Sequence, residues 1–252
     1  MGSPLPFILF ALASCAFGAA AAELTVLAGG AVKSGLVEAA AAWEKQSGHA
    51  VKATFAPAGE MLKRLAAGEA FDIVIIPVEN FEALERAGTV APGARRPIAG
   101  VGIAVAVKKG AVVPDISTPE SVKRLLVEAK SVTYMDPARG TSGKFVDEVV
   151  LPRLGIRDEV RAKTRFGEGG AIAEKVARGE VEVAIHQYTE ILPVEGVIAV
   201  GPLPPELQKV SLYTGAVTRA SRAPRESAAL LDYLASSAGR APFLARGFSA
   251  PP

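Results

Sequence analysis

The sequence predicts an α/β fold of two lobes, in which each lobe is a mainly parallel sheet flanked by helices. Short apolar or β-branched segments alternate with helical patterns from residue 23 onward, which is typical of sheets covered by helices. Two segments rich in Pro and Gly interrupt this alternation, at residues 91–97 (APGARRP) and 201–205 (GPLPP). They leave a complete strand-helix unit between them, after which the chain returns to the first lobe. The expected lobes are residues 23–97 with 205–252, and residues 98–204.

In the first part of the chain, glycines mark the ends of the helical patterns. Apolar periodicity predicts helices that each end before a glycine, at residues 32–47, 59–67 and 79–87. The strands between them are expected at residues 24–28, 51–55 and 71–77. The last of these, FDIVIIP, is almost wholly apolar, as expected of a strand that is buried on both faces.

A second alternation follows the first break. Residues 98–107 form one long apolar segment, which predicts a single strand. Pro119 follows Ser117 and Thr118 and opens a helix, because proline is favoured in a first turn. The other helices are expected at residues 144–154, 171–178, 225–235 and 240–246, after this one at 119–129. The other strands are expected at residues 132–135, 163–166, 181–186 and 209–218.

Composition excludes several classes of protein. The 252 residues carry 28 basic and 26 acidic side chains, a net charge of +2, without a basic block. We therefore expect no nucleic-acid partner. Half of the residues are hydrophobic and 6% are aromatic, so aliphatic side chains supply the core. After the N-terminus, no apolar run approaches the roughly 18 residues that span a bilayer.

The N-terminal segment resembles an export signal. Residues 1–22 contain no charged side chain and have an apolar centre, PFILFALA, followed by small residues. Cys15, the only cysteine, follows Leu12-Ala13-Ser14. That tetrapeptide resembles a bacterial lipobox, and a chance cysteine in an ordinary signal peptide is the alternative. Either way, we expect a periplasmic protein that is free or lipid-anchored at Cys15, with no disulfide in the mature chain.

Residues 135–145 (MDPARGTSGKF) come close to a nucleotide-binding loop. The pattern G-x-x-x-x-G-K-[ST] requires a glycine at position 138 and a hydroxyl at position 145. The chain has Ala138 and Phe145 instead, and phenylalanine cannot hold a magnesium ion. The loop therefore argues against nucleotide hydrolysis, while an anion-binding turn at a helix start remains open.

Turns of small residues follow four of the predicted strands. Ligands of α/β sheets bind at the carboxyl ends of strands, where glycines allow close approach and helix N-termini offer free N–H donors. An ordinary strand-to-helix turn is the alternative at each turn taken singly. The candidate ligand-binding residues in the turns are Gly29, Gly30, Ala31, Ala58, Gly59, Thr141, Ser142, Gly143 and Gly169.

Other polar residues are weaker candidates. Gln187 and Tyr188 end a strand beside the expected cleft, where a polar group could orient a ligand, or they are ordinary strand-end residues. His186 follows an apolar strand and is expected to be a buried histidine with its hydrogen bonds satisfied. No Cys, His or Asp spacing indicates a metal site. No G-x-S-x-G motif indicates a serine nucleophile, so we expect neither cofactor nor metal.

Residues 24–90, including LTVLAGGAVKSG and FDIVIIP, resemble the first lobe of bacterial type II periplasmic solute-binding proteins. The second half agrees, in YMDPARGTSGKF and in FGEGGAIAEKVARGEVEVAIHQY. Within that group, the chain is most similar to the molybdate/tungstate-binding proteins of ABC importers. The resemblance covers nearly the whole mature chain and implies the type II periplasmic-binding-protein fold, with the ligand in a cleft between the lobes.

The resemblance also implies how a ligand would be held. In that family, backbone amides and neutral hydroxyls bind a tetrahedral oxyanion. The family's serines fall at Gly30 and at about Ala58 or Gly59, its second-lobe amides at Ser142 and Gly169, and its tyrosine hydroxyl near Gln187. Both first-lobe hydroxyls are therefore missing. Each lost hydrogen bond to a charged group costs about 1.5–3 kcal/mol, which keeps another oxyanion or a small organic anion as an alternative ligand.

These observations predict a binding protein rather than an enzyme. We expect a monomer that captures a molybdate-like or tungstate-like oxyanion, closes by hinge motion and delivers the anion to an ABC permease. A ligand-sensing subunit that binds a small organic anion is the alternative. An enzyme has only His186 and scattered serines in its favour.

Overall fold

The chain alternates between two sheets. The computed structural model describes residues 21–168 and 171–252; the predicted export segment up to residue 20, with Cys15, and Gly169 lie outside this part. The described strands are β1 (Glu23–Gly29), β2 (Ala50–Ala56), β3 (Ile73–Pro77), β4 (Arg96–Val101), β5 (Ile103–Lys108), β6 (Val132–Thr133), β7 (Val183–Gln187), β8 (Val197–Pro202) and β9 (Ser211–Val217).

Helices cover both sheets. The described α-helices are α1 (Lys33–Ser47), α2 (Ala58–Ala66), α3 (Phe81–Arg86), α4 (Pro119–Glu128), α5 (Thr141–Phe145), α6 (Leu151–Leu154), α7 (Arg157–Ala162), α8 (Ile172–Ala177), α9 (Tyr188–Ile191), α10 (Pro224–Ala235) and α11 (Ser237–Leu244). A 3₁₀ turn, Gly30–Val32, precedes α1, and a π-helical segment, Val146–Val150, joins α5 to α6. None of the helices in the described ranges is long and apolar enough to cross a membrane.

The first sheet has the strand order β2-β1-β3-β9-β4. Strand β1 runs parallel to β2 and β3, and β9 runs antiparallel to β3 and β4. Helices α1, α10 and α11 pack on one face around Leu36 and Leu230, while α2 and α3 pack on the other around Met61 and Phe81. Both faces of the central strands are therefore buried, which is why FDIVIIP reads as continuously apolar.

The second sheet has the order β6-β7-β5-β8, with β6 parallel to β7 and β5 antiparallel to both of its neighbours. Helices α4, α6 and α7 enclose one core around Leu126 and Leu151, and α8 and α9 enclose another around Ile172. The α/β fold of two helix-flanked sheets is confirmed. The sheets are mixed rather than mainly parallel as expected, because β9 in the first sheet and β5 in the second run antiparallel to both of their neighbours.

Gly102 divides the strand that was expected over residues 98–107. Strand β4 belongs to the first sheet and β5 to the second, so the chain changes sheets at this glycine. The Gln208 side chain holds the chain in place where it changes sheets. Its Oε1 accepts from the Ile103 N–H (2.8 Å) and its Nε2 donates to the Ile103 carbonyl (2.8 Å). Although β4 stays in the first sheet as far as Val101, the lobe boundaries at residues 97 and 204 remain a prediction.

Two other local predictions differ from the structure. Residues 163–166 were expected as a strand, but they contribute only an isolated bridge between Thr164 and Val132. The helix expected to begin at residue 144 begins at Thr141 instead. Gly140 is the N-cap residue in an extended conformation, so the first free amides of the helix lie within the GTSGK sequence.

Asp72, which directly precedes β3, joins strand β1 to the segment that follows β9. Its carboxylate accepts hydrogen bonds from the Thr25 N–H (2.8 Å) and hydroxyl (2.7 Å), and from the Ser221 hydroxyl (2.9 Å) and the Arg222 N–H (2.8 Å). Burial by itself would raise the pKa of Asp72, but these hydrogen bonds outweigh burial and lower the pKa to about 2. The ionised carboxylate therefore stabilises the fold.

We expect Asp72→Asn to lower the free energy of unfolding at neutral pH by about 2 kcal/mol. Because the folded-state pKa is the lower one, this stabilisation is present above the unfolded value of about 3.9 and is lost as the pH falls toward 2. Urea denaturation over this range would show a shallower loss of stability in the variant. Asp158→Asn, at an exposed site, is the control, and equal slopes in Asp72→Asn and the parent would contradict the expectation.

Candidate functional site

A cavity of about 1040 Å³ lies between the two sheets. One turn and three helix N-termini line this cavity: the Gly30–Val32 turn before α1, and the N-termini of α2, α5 and α9. The carboxyl ends of β1 and β2 lie on one side and that of β7 on the other, as expected for ligand sites in α/β proteins. The cavity is large enough for a small organic molecule.

The structure brings together six of the residues predicted from the sequence and places four elsewhere. The six lie in the cavity wall: Gly29, Gly30, Ala58, Thr141, Ser142 and Gln187. The four lie behind it: Ala31, Gly59, Gly143 and Tyr188. Gly169 lies outside the described residues. A direct role in ligand binding remains a prediction for all of them.

The four displaced residues have structural contacts instead. The Gly59 N–H donates to the Arg139 carbonyl (3.1 Å), across the cleft. The Ala31 carbonyl accepts from the Thr189 hydroxyl (2.9 Å). Gly143 packs directly against the Met135 carbonyl, and the Tyr188 ring packs against Gly247. The Gly59 amide is therefore engaged by Arg139 and is not free for a ligand while this contact is made.

A buried network supports the α5 turn from behind. Asp147, in the π-helical segment, is 2% exposed and accepts hydrogen bonds from the Tyr134 hydroxyl (2.9 Å) and the Arg157 guanidinium (2.6 Å). Burial opposes its ionisation, but the hydrogen bonds and Arg161 hold the pKa of Asp147 below its usual range. Tyr134 directly precedes Met135, on which Gly143 packs, so this network fixes the loop that leads to Thr141 and Ser142.

His186 and Glu190 form a pair that sequence reasoning missed. Nε2 of His186 lies 3.1 Å from Oε2 of Glu190, and the two side chains are 1% and 10% exposed. The contact is close but not aligned as a hydrogen bond, and neither ring nitrogen has an aligned partner among the described residues. His186 is therefore buried as expected but not satisfied, and it faces the cavity.

Glu190 reaches across the cleft to the Gly30 turn. A side-chain β-carbon at Gly30 would lie 2.6 Å from Oε1 of Glu190, so the carboxylate occupies space that a larger residue could take only if the glutamate side chain moved. The place of the first family hydroxyl is thus taken by a negative charge. The His-x-x-x-Glu spacing across a strand-to-helix junction, in IHQYTE, is the sequence signal that could have indicated the pair.

The rest of the wall has an uneven charge distribution. Lys33 is exposed at the start of α1 and has no carboxylate within ion-pair distance in the described part of the chain. Arg246 is already paired with Glu38 (Nε to Oε2, 3.0 Å). Lys33 is therefore the cation best placed to meet a ligand carboxylate. Within residues 21–168 and 171–252, no group of three or more His, Cys, Asp or Glu could hold a metal ion.

A family of bacterial extracellular solute-binding proteins matches this chain over residues 24–249. The chain belongs to that family. This assignment confirms the type II periplasmic solute-binding group that the sequence resembles and agrees with an extracytoplasmic location, whereas the export signal itself remains a prediction.

Solved structures agree with the fold of this solute-binding protein. A periplasmic molybdate-binding protein of Azotobacter vinelandii superposes with a TM-score of 0.77 at 18% identity, over 91% of this chain and 100% of the other. A sulfate-binding protein of Mycobacterium tuberculosis gives 0.71 at 16% identity, over 90% and 86%. At such identities the likeness establishes the fold and not the ligand.

A sequence relative corrects one expectation about this solute-binding protein. An aconitate isomerase of a Pseudomonas species is 36% identical over 220 residues, which are 84% of this chain and 82% of the relative. The expectation that the chain is not an enzyme is therefore wrong, because a protein so similar over most of its length is named as one. The sequence contains no motif for a nucleophile or a metal site, but an enzyme that only moves a proton requires neither.

Gly143 and Gly30 should respond differently to an added methyl group. In Gly143→Ala the new carbon would lie 1.9 Å from the Met135 backbone oxygen, whereas in Gly30→Ala it would meet the end of a glutamate side chain, which can move. We expect Gly143→Ala to lower the free energy of unfolding by about 1–3 kcal/mol or more.

Gly30→Ala is the matched comparison, and we expect it to cost less than about 1 kcal/mol because only Glu190 must shift. Chemical denaturation of both variants measures the difference. Equal losses would show that the α5 turn does not depend on close backbone packing at Gly143.

Proposed function

We propose that this solute-binding protein isomerises a small unsaturated polycarboxylate of the aconitate type by moving a proton within the interlobe cleft. The observation that carries the proposal is the buried His186–Glu190 pair facing the cavity. A carboxylate and an imidazole in contact are a common acid–base combination. The similarity to a protein named aconitate isomerase supports the choice of substrate class.

The size of the cavity and the position of Glu190 favour an organic acid over an inorganic oxyanion. A tetrahedral ion would fill little of the roughly 1040 Å³. It would also meet the Glu190 carboxylate at the Gly30 turn, and like charges in a partly buried site repel strongly. A flat polycarboxylate can instead place its charged ends at the helix starts and Lys33 while its carbon chain faces Glu190.

The reaction needs one proton removed and one returned. In aconitate, a methylene group lies between a carboxylate and the carbon-carbon double bond. A base that takes a methylene proton leaves an electron pair that moves into a new double bond with the central carbon, while the old double bond accepts a proton at its far carbon. Since both outer carbons carry one carboxylate, the product is the geometric isomer, with no change in oxidation state.

The described residues divide these tasks. Glu190 is the base that takes the proton, and its other oxygen stays beside His186. The protonated Glu190 then returns a proton to the far carbon, and His186 lies beside it as the second acid–base group. Free amides at Thr141 and Ser142 and the ammonium group of Lys33 hold substrate carboxylates. The Glu190 side chain is only 10% exposed, which limits the access of water to the base.

A second candidate function is capture of a small organic anion or oxyanion for delivery to an ABC permease. The family assignment favours it, as do the helix starts in the cavity wall, which suit anions generally. Turnover separates the candidates, because a transport protein binds its ligand without changing it.

Proton NMR in D₂O tests the proposal directly. The purified mature protein is incubated with cis- or trans-aconitate, and conversion together with deuterium uptake at the methylene carbon is expected. A thermal-shift panel with both aconitates, tricarballylate, molybdate, tungstate and sulfate is run in parallel. A ligand at 100 times its dissociation constant adds about 2.7 kcal/mol of stability. Stabilisation by molybdate with no conversion of either aconitate would sink the isomerase proposal.

Glu190→Gln should lose isomerase activity while it keeps its fold. We expect kcat to fall about 10²–10⁴-fold, because the amide cannot accept the proton yet has nearly the same shape. Coupled absorbance or NMR assays measure the loss, and circular dichroism checks the fold. Glu82→Gln, at a side chain that is 80% exposed on α3, is the control and should retain the parent rate. Activity in Glu190→Gln within a few-fold of the parent would exclude Glu190 as the base.

A further inference from the structure

A hydrogen bond joins the two sheets within the wall of the cavity. The Tyr213 hydroxyl, on β9 of the first sheet, donates to Oε1 of Gln187 at the end of β7 in the second sheet (3.1 Å). Both side chains are buried, at 4% and 3% exposure. Because Oε1 accepts this bond, the Nε2 group of Gln187 is the donor left to face the cavity.

A second hydrogen bond joins the same parts of the molecule two residues later. The Thr189 hydroxyl donates to the Ala31 carbonyl (2.9 Å) and is fully enclosed. Helix α9 is only one turn long, Tyr188–Ile191. This helix is thus hydrogen-bonded twice to the first sheet's side of the cleft, through its N-cap residue Gln187 and its second residue Thr189. Glu190 directly follows Thr189.

The surroundings of Tyr213 keep its hydroxyl a neutral donor. Burial raises the pKa of Tyr213 far above its usual value, and the nearby Glu190 carboxylate raises it further. The ring also lies against the Gly29 backbone, where a β-carbon would be 2.6 Å from Cε1. Tyr213 therefore contacts the turn that faces Glu190 and the residue that begins α9.

We propose that Tyr213 is a positioning residue: its hydrogen bond to Gln187 holds α9 against the Gly29–Gly30 turn, so that Glu190 meets the substrate in the closed cleft. The catalytic part of this inference rests on the proposed isomerase function. The base then comes from one lobe and the Gly30 turn from the other, and the site is complete only when the two are joined.

Tyr213→Phe removes the hydroxyl and keeps the ring. We expect kcat for aconitate to fall about 10-fold or more while KM changes less than about 3-fold, because bound substrate is held but Glu190 is misplaced. Tyr233→Phe, on α10 in the first sheet's outer helical layer, is the matched control and should behave as the parent. A kcat within 2-fold of the parent would overturn the proposal, as would a rise in KM alone.

Hydrogen–deuterium exchange of the ligand-free protein gives a readout that does not depend on activity. Tyr213→Phe should raise exchange in peptides that cover residues 183–192 and leave those of α4 unchanged. Unchanged exchange at residues 183–192 would overturn the proposal whatever the kinetics. A general rise over the whole chain would also overturn it, because it would show a purely structural role.

The two proposals fail in distinguishable ways. If the parent protein converts neither aconitate, the isomerase function fails, and the exchange experiment alone decides whether Tyr213 holds α9. If Tyr213→Phe does not fold, Thr189→Val tests the same attachment through its second bond. The expected results are again a lower kcat and faster exchange at residues 183–192, and parent-like values for both would overturn the proposal.

Discussion

The contact between α9 and the Gly29–Gly30 turn is the constraint on which the rest of the site depends. It brings a short helix of the second sheet against the first strand end of the first sheet, with the cavity beside it. Glycine at position 30 lets the Glu190 carboxylate lie against the turn, because the β-carbon of a larger residue would displace it. The elements on either side could form the same fold without this contact, but they would not form the same site.

The fold was predictable from the sequence because its signals are local. The pattern that predicts each strand or helix lies within a segment of 5 to 15 residues. Apolar strands alternating with helices in this way form the layers of an α/β protein. The turns at Gly29, Ala58 and Thr141 were predictable for the same reason. The change of sheet at Gly102 was not predicted, because the apolar pattern continues through this residue and nothing in the pattern marks the crossing.

The chemistry of the site was harder to predict, because it depends on residues that are distant in the chain. Tyr213 and Gln187 are 26 positions apart, and Thr189 and Ala31 are 158 apart. His186 and Glu190 are near neighbours, yet a buried histidine at a strand end is usually structural, and only its unsatisfied nitrogens indicate otherwise. The expectation that the protein is not an enzyme was wrong because it was based on the fold, which encloses small anions in binding proteins. One fold can support both binding and catalysis, and the residues of the site decide between them.

The backbone contact between Gly59 and Arg139 affects how the cleft opens. It closes the cleft beside the cavity through one N–H and one carbonyl, and the Arg139 guanidinium adds only distant pairs with Glu60 (4.0 Å) and Glu168 (3.6 Å). A binding protein that delivers its ligand to a permease can stay closed until the permease opens it. An enzyme must reopen its cleft after every turnover, and beside Gly59 only this backbone hydrogen bond and the two long ion pairs have to break. The cleft can therefore open at Gly59 by the loss of few contacts, whereas the hydrogen bonds of Thr189 and Tyr213 hold the two sheets together elsewhere.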